Sequence, residues 1–137
     1  MESAGYSGTP LWKKLGVKTG QTVFFCNPPE NFDELLGEMP EGVRFVKRVR
    51  NPIDYVHIFA KSSLDLRRAV SKYLPKIKSD GMIWVSWYKK ASKIPTDITE
   101  DTIRAICLPV GLVDVKVCAI DKKWSGLKLV IRKELRK

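Results

Sequence analysis

The stretch from Tyr55 to Trp87 constrains this chain most, because two almost unbroken apolar runs flank a capped helical repeat. Residues 55–60 (YVHIFA) are apolar apart from His57, and residues 82–87 (MIWVSW) apart from Ser86. Such runs lack the alternation of a half-exposed strand and suit strands covered on both faces. Between them Ser62-Ser63-Leu64-Asp65 supplies a capping pattern, and Leu66, Ala69, Val70, Tyr73, Leu74 and Ile77 recur at helical spacing. This predicts a helix ending near Ser79, followed by a turn at Asp80-Gly81. Strand, capped helix, strand is a right-handed βαβ unit.

The flanking segments extend that unit. Thr9 as capping hydroxyl, Pro10 at the first helical position, Lys13 and Lys14 in the last turn and Gly16 beyond predict one short helix. Residues 21–26 (QTVFFC) read as a buried strand stopped by Asn27-Pro28-Pro29, where the prolines withhold backbone donors. Asn31 with Glu34 caps a brief helix interrupted by Gly37. Residues 43–49 alternate imperfectly and predict an exposed edge strand. Too few residues separate them from the run at Tyr55 for a full parallel crossover, so this strand is antiparallel or very short. Asp97 with Glu100 caps a further helix carrying Ile103, Ile106 and Cys107 and closing near Pro109 and Gly111. Val113, Val115 and Val117 alternate with polar neighbours, and residues 127–131 return after Ser125-Gly126, which predicts a terminal hairpin with its first strand at the sheet edge.

Together these elements predict one α/β domain over residues 1–137: a Rossmann-like, mostly parallel sheet with a C-terminal antiparallel hairpin and helices on both faces. The 137 residues, 44 % of them hydrophobic, suffice for a core without disulfides or metal. Cys26, Cys107 and Cys118 form no CxxC pair and read as reduced, buried thiols, and no cluster has metal-ligand spacing. The first ten residues lack a leader pattern and no run approaches a membrane span, so a cytoplasmic protein without a membrane partner is expected.

Motifs across the length, GYSGTPLWKKLG, DGMIWVSWYKKAS, PTDITED, GLVDVKVCAID and WSGLKLVIRK, resemble a family of uncharacterised bacterial proteins catalogued as a domain of unknown function. That resemblance implies a fold and no activity. The order of elements is also similar to the class I methyltransferase fold with one βα unit missing. Enzymes of that fold carry a glycine-rich loop after the first strand, where this chain has Cys26-Asn27-Pro28-Pro29-Glu30-Asn31. They place an acidic residue at the end of the second strand, where this chain has Lys47, Arg48 and Arg50. Both departures count against S-adenosylmethionine. Asn27-Pro28-Pro29 is similar to the Asn/Asp-Pro-Pro-aromatic motif of amino-group methyltransferases, with Glu30 in place of the aromatic.

Ligands of open α/β sheets bind beyond the carboxyl ends of the parallel strands, where backbone groups are left unpaired. That rule selects Asn27, Lys61, Ser62, Trp87, Lys89, Lys90 and Ser92, a set suited to an anion, with Trp87 and Tyr88 framing a loop whose lysines would pair with phosphate. Alternatively this is a solvated loop whose aromatics complete the core. His57, the only histidine, lies mid-strand and reads as structural, so no nucleophile-histidine relay is nominated. Trp124, with Arg132 and Lys133, would form a recognition surface unless the ring folds over the core.

Charge is divided unevenly. Residues 1–42 hold 3 basic and 6 acidic side chains, and residues 43–137 hold 22 and 9, so net charge runs from −3 to +13. Three functions remain open: a binding module for an anionic or phosphorylated small molecule, a nucleic-acid-associated basic protein, and a degenerate S-adenosylmethionine-dependent methyltransferase. No catalytic group and no cofactor is identified.

Overall fold

In the computed structural model, which describes residues 9–136, the run around Val56 is strand β3 (Ile53–Phe59). It pairs in parallel with β1 (Thr22–Cys26) on one side and β4 (Ile77–Tyr88) on the other. With β2 (Arg44–Phe45), β5 (Leu112–Ala119) and β6 (Trp124–Ile131), the sheet has the order β2-β1-β3-β4-β6-β5. Only β6 runs against its neighbours. The hairpin therefore closes the sheet as expected, with β5 outside and the more apolar β6 inside. The GYSG part of the first motif lies outside the described residues.

Successive strand residues point to opposite faces, so each central strand feeds two cores. Val56 and Ile58 of β3 and Ile83 and Val85 of β4 pack with α3 (Ser63–Tyr73) and α4 (Glu100–Cys107). Tyr55, Phe59, Met82 and Trp84 pack with α1 (Leu11–Lys14) and α2 (Phe32–Leu36). Helices thus cover both faces. Trp84, fully buried, donates its indole N–H to the Leu15 carbonyl at 2.8 Å and ties the end of α1 to the sheet.

Several local expectations are corrected. Pro10 occupies the N-cap of α1 rather than its first helical position, and Gly16 ends the turn at φ 80°. Asn31 is the N-cap of α2 without a side-chain bond, although the helix is as brief as expected and stops at Gly37. α3 ends at Tyr73, not near Ser79, because Pro75 cannot continue the helix; a 3-10 turn Leu74–Lys76 follows, and Ile77 belongs to β4. Asp97 does not cap α4. Thr99 does, in a reciprocal capping box with Thr102.

The segment 43–49 yields only β2, very short and parallel to β1. Phe45 lies level with Val23, and Val23 lies level with Tyr55. The chain leaving β2 is therefore still near the start of the sheet, and residues 46–52 need only cross β1 to enter β3. Val46 and Val49 pack on the α3 side during that crossing. The short link replaces the helix of an ordinary crossover.

Asp80-Gly81 lies inside β4, not in a turn before it. Ile77 pairs with Ile53 and Met82 with Tyr55, so residues 78–81 bulge opposite Asp54. Asp54 fastens the bulge by accepting the Thr22 N–H at 2.8 Å and pairing with Lys78 at 2.9 Å. A Cβ on Gly81 would lie 2.7 Å from Ile77 Cγ1 and 2.9 Å from the Asp54 carbonyl oxygen. Gly81→Val is accordingly expected to cost about 1–3 kcal/mol through overpacking, read as a lower urea midpoint. An unchanged midpoint would mean that the bulge is free to relax.

Candidate ligand-binding site

At the carboxyl end of β1, Asn27 adopts φ 55°, a left-handed conformation that asparagine tolerates better than most side chains. Pro28 and Pro29 follow and stiffen the loop leading to Asn31. β4 and β6 meet alongside, with Tyr88 paired to Trp124. Their rings lie 4.3 Å apart at 30°, and Phe59 meets the Trp124 ring edge-on at 5.2 Å. A hollow of about 640 Å³ opens here, lined by residues 27–31, Lys61, Tyr88, Ile94, residues 121–124 and Leu35. A smaller one of about 300 Å³ shares Asn27, Pro28 and Lys61 and adds Phe59 and Asp65.

Around this hollow stand Lys61, Lys122 and Lys123 against Glu30 and Asp121. Asp121 is already engaged: one carboxylate oxygen accepts the backbone N–H groups of Lys123 and Trp124, each at 2.8 Å, which shapes the β5–β6 turn. The Lys123 carbonyl in turn accepts the Lys89 N–H at 2.8 Å, tying that turn to the end of β4. The rim is cationic and the floor aromatic.

The structure brings together only part of the set selected from the sequence. Asn27 and Lys61 line the hollow. Trp87, Lys89 and Lys90 line a neighbouring one of about 690 Å³ beside α4, which shares Tyr88 and Ile94 with the first. There Arg104 is held by Glu100, Asp101 and Asp114. Ser62 caps α3 by accepting the Asp65 N–H. Ser92 closes its own turn, donating to the Lys89 carbonyl at 2.6 Å and accepting the Ile94 N–H. Trp87 is buried in the core under α3 and α4 and Tyr88 packs on the other face, yet both reach the hollow beside Lys89 and Lys90. Asp97 accepts both the backbone N–H and the hydroxyl of Ser63, at 2.8 and 2.6 Å, and those bonds hold its carboxyl below the usual range.

The proposed surface of Trp124, Arg132 and Lys133 is divided as well. Trp124 begins β6 and is buried, whereas Arg132 and Lys133 follow its far end, a strand length away. The contribution of residues 121–123 escaped the sequence reading, which singled out only Trp124 from this turn. The available signal was the antiparallel return of β6, which carries the β5–β6 turn to the side where the parallel strands end.

The remaining reactive groups are structural. His57 is fully buried, with Nδ1 2.9 Å from the Tyr55 hydroxyl and Nε2 2.6 Å from Ser86 Oγ. Burial lowers its pKa to about 3, so the ring is neutral. Burial pushes the Cys107 thiol up to about 12 and raises those of Cys26 and Cys118. All three cysteines are free. Among the described residues no helix is long and apolar enough to cross a membrane, and no three His, Cys, Asp or Glu side chains are grouped to hold a metal.

No family model matches the sequence, and no curated protein does. Solved structures do share the fold. A SAM-dependent methyltransferase from Aquifex aeolicus is similar with a TM-score of 0.63 and 15 % identity, over 89 % of this chain and 88 % of that one. Aeropyrum pernix fibrillarin, solved with natively bound S-adenosyl-L-methionine, gives 0.56 and 9 %, over 82 % and 67 %. A TehB-like SAM-dependent methyltransferase from Corynebacterium glutamicum gives 0.54 and 8 %, over 89 % and 86 %. The chain therefore has the α/β, Rossmann-like layout of class I methyltransferases in truncated form. Its residues depart from the cofactor-binding pattern of that fold at two places. The loop after β1 carries Pro28-Pro29 where glycines would let a cofactor approach, and β2 ends at Phe45, followed by Val46 and Lys47 rather than by a carboxylate for ribose hydroxyls.

Proposed function

We propose that this chain is a small-ligand-binding protein on a methyltransferase-like scaffold, holding an anionic molecule with a flat ring in the hollow at the ends of β1, β3 and β4. The observation that carries this is the Tyr88–Trp124 ring pair flanked by Lys61, Lys122 and Lys123. An aromatic floor suits stacking and ammonium groups suit phosphate, so a nucleotide has the required chemistry. No catalytic residue is assigned: the buried histidine and raised thiols supply neither a poised base nor a thiolate nucleophile.

A thermal-shift screen with a nucleoside triphosphate, a nucleoside monophosphate and S-adenosylmethionine, at low and moderate salt, tests the reading. At about a hundredfold excess over Kd a pocket ligand stabilises by about 2.7 kcal/mol, a shift of several degrees. The nucleotide shift is expected to survive moderate salt. In Lys61→Ala/Lys123→Ala the affinity should fall at least about tenfold, since hydrogen bonds to charged groups carry about 1.5–3 kcal/mol each. A second reading, retained binding of S-adenosylmethionine, is favoured by the fold of the neighbours. A larger shift with that cofactor than with any nucleotide would replace the first reading by the second.

A further inference from the structure

The β1–β2 edge carries a second set of side chains away from the strand-end hollow. β2 pairs with β1 only at Thr22 and Val23, so beyond Phe45 the β1 edge continues past Phe24 and Phe25 without a neighbouring strand. Two hollows open there, of about 720 and 290 Å³, and they share Phe24 and Lys47. The larger is mainly apolar, lined by Phe25, Met39 and Phe45, and Phe45 is 52 % exposed; Asp33 is its one carboxylate. The smaller is cationic. It is lined by Lys47 and Arg48 after β2, by Lys72 in the last turn of α3 and by Lys76 in the 3-10 turn that follows, and no carboxylate lines it.

Among the described residues none of these four cations makes an ion pair. Arg68 stands one helical turn before Lys72, so α3 carries like charge at i,i+4 on its exposed side. Repulsion among these groups is relieved by a polyanion laid across them. Phe45, whose ring packs against Phe25 on the α2 side of the same edge, gives an occupant passing over that edge a stacking surface, which a free oligophosphate would leave unused. A membrane surface would require apolar groups that protrude, whereas most of these line a concavity.

We propose that a single-stranded nucleic-acid segment binds over this sheet edge, one base stacked on Phe45 and the phosphodiester backbone passing Lys47 to run across Arg48, Lys72 and Lys76. The apolar hollow shares only Pro28 with the small-ligand hollow, and none of the five proposed contacts lines the latter, so the site does not depend on it.

Fluorescence anisotropy of the full chain with a labelled oligouridylate of about ten nucleotides, at several salt concentrations, tests this. Affinity should fall steeply with salt. Lys47→Glu/Lys72→Glu, at two exposed positions, should weaken binding at least about tenfold and reduce the salt slope by about 2. Phe45→Ser should weaken binding about 5- to 100-fold with the slope unchanged, as loss of stacking requires. Lys61→Ala/Lys123→Ala should bind the oligonucleotide like the parent, which separates this site from the nucleotide hollow. Thermal melts verify folding, and Lys47→Gln/Lys72→Gln is read in the same way if charge reversal prevents it. Parent-like affinity in the folded charge variant overturns the proposal. So does displacement by tripolyphosphate at matched phosphate concentration with Phe45→Ser silent, which identifies a free oligophosphate site. Binding to phosphatidylserine vesicles without oligonucleotide binding also overturns it, in favour of a membrane surface.

Discussion

Between pH 6.5 and 4 the protein is expected to lose about 1.4 kcal/mol of stability per pH unit, and His57 is the cause. The ring is buried between the Tyr55 and Ser86 hydroxyls, and its folded pKa, about 3, lies below the unfolded 6.5. In that window the unfolded chain binds a proton that the folded chain refuses, so stability is full above 6.5, falls as the solution is acidified, and levels off below about 3. Asp97 also has a lowered pKa, but its contribution is lost only below its ordinary value of 3.8, which leaves the interval from 4 to 6.5 to His57. Urea midpoints followed by tryptophan fluorescence check this. The parent should show the slope, and His57→Gln, which keeps a polar group beside both hydroxyls, should flatten it. Equal slopes in the two proteins would mean that the native ring accepts a proton.

Trp84→Ala should be the most damaging substitution in the sheet, at about 3–5 kcal/mol. The side chain is fully buried among Leu15, Tyr55 and Phe59, and its ring occupies space left free by Gly126, where a Cβ would come within 3.1 Å of it. The substitution leaves a cavity and removes the indole N–H from the Leu15 carbonyl, freeing the end of α1. Trp84→Phe keeps most of the packing and should lose about 1–3 kcal/mol. Equilibrium unfolding of both variants measures the difference. A loss below about 1 kcal/mol for alanine would show that α1 is not anchored through this ring.

The unit from Ile53 to Tyr88 was legible because its strands are buried on both faces, and double burial writes itself as unbroken apolar sequence. Ser62 was legible as a cap because a serine before a helical repeat leaves one geometry for its hydroxyl. β2 was legible only as a very short, exposed edge strand; its bounds and direction were not, since two paired residues leave no period to read. Asp97 resembled a cap in spacing, yet its carboxylate is taken by Ser63, distant in sequence and adjacent only after α3 and α4 have packed.

The site divides along the same line. Asn27 and Lys61 follow directly from the rule that ligands sit beyond parallel strand ends. At β4 the same rule leads to the neighbouring hollow, which Trp87, Tyr88, Lys89 and Lys90 line together. Trp87 and Tyr88 are consecutive and so point to opposite faces, which sends Trp87 into the core and Tyr88 toward Trp124. Residues 121–123 reach the hollow only through the register that sets Tyr88 against Trp124, a long-range pairing with no local signature.

An NMR titration of the isotope-labelled chain with a nucleoside triphosphate tests most directly whether the strand-end hollow is the ligand site. Saturable shifts are expected at the Asn27, Lys61 and Lys123 amides and at the Trp124 indole, and S-adenosylmethionine should leave them in place. No saturable change at those positions, or tighter binding there by S-adenosylmethionine than by the nucleotide, would contradict the account.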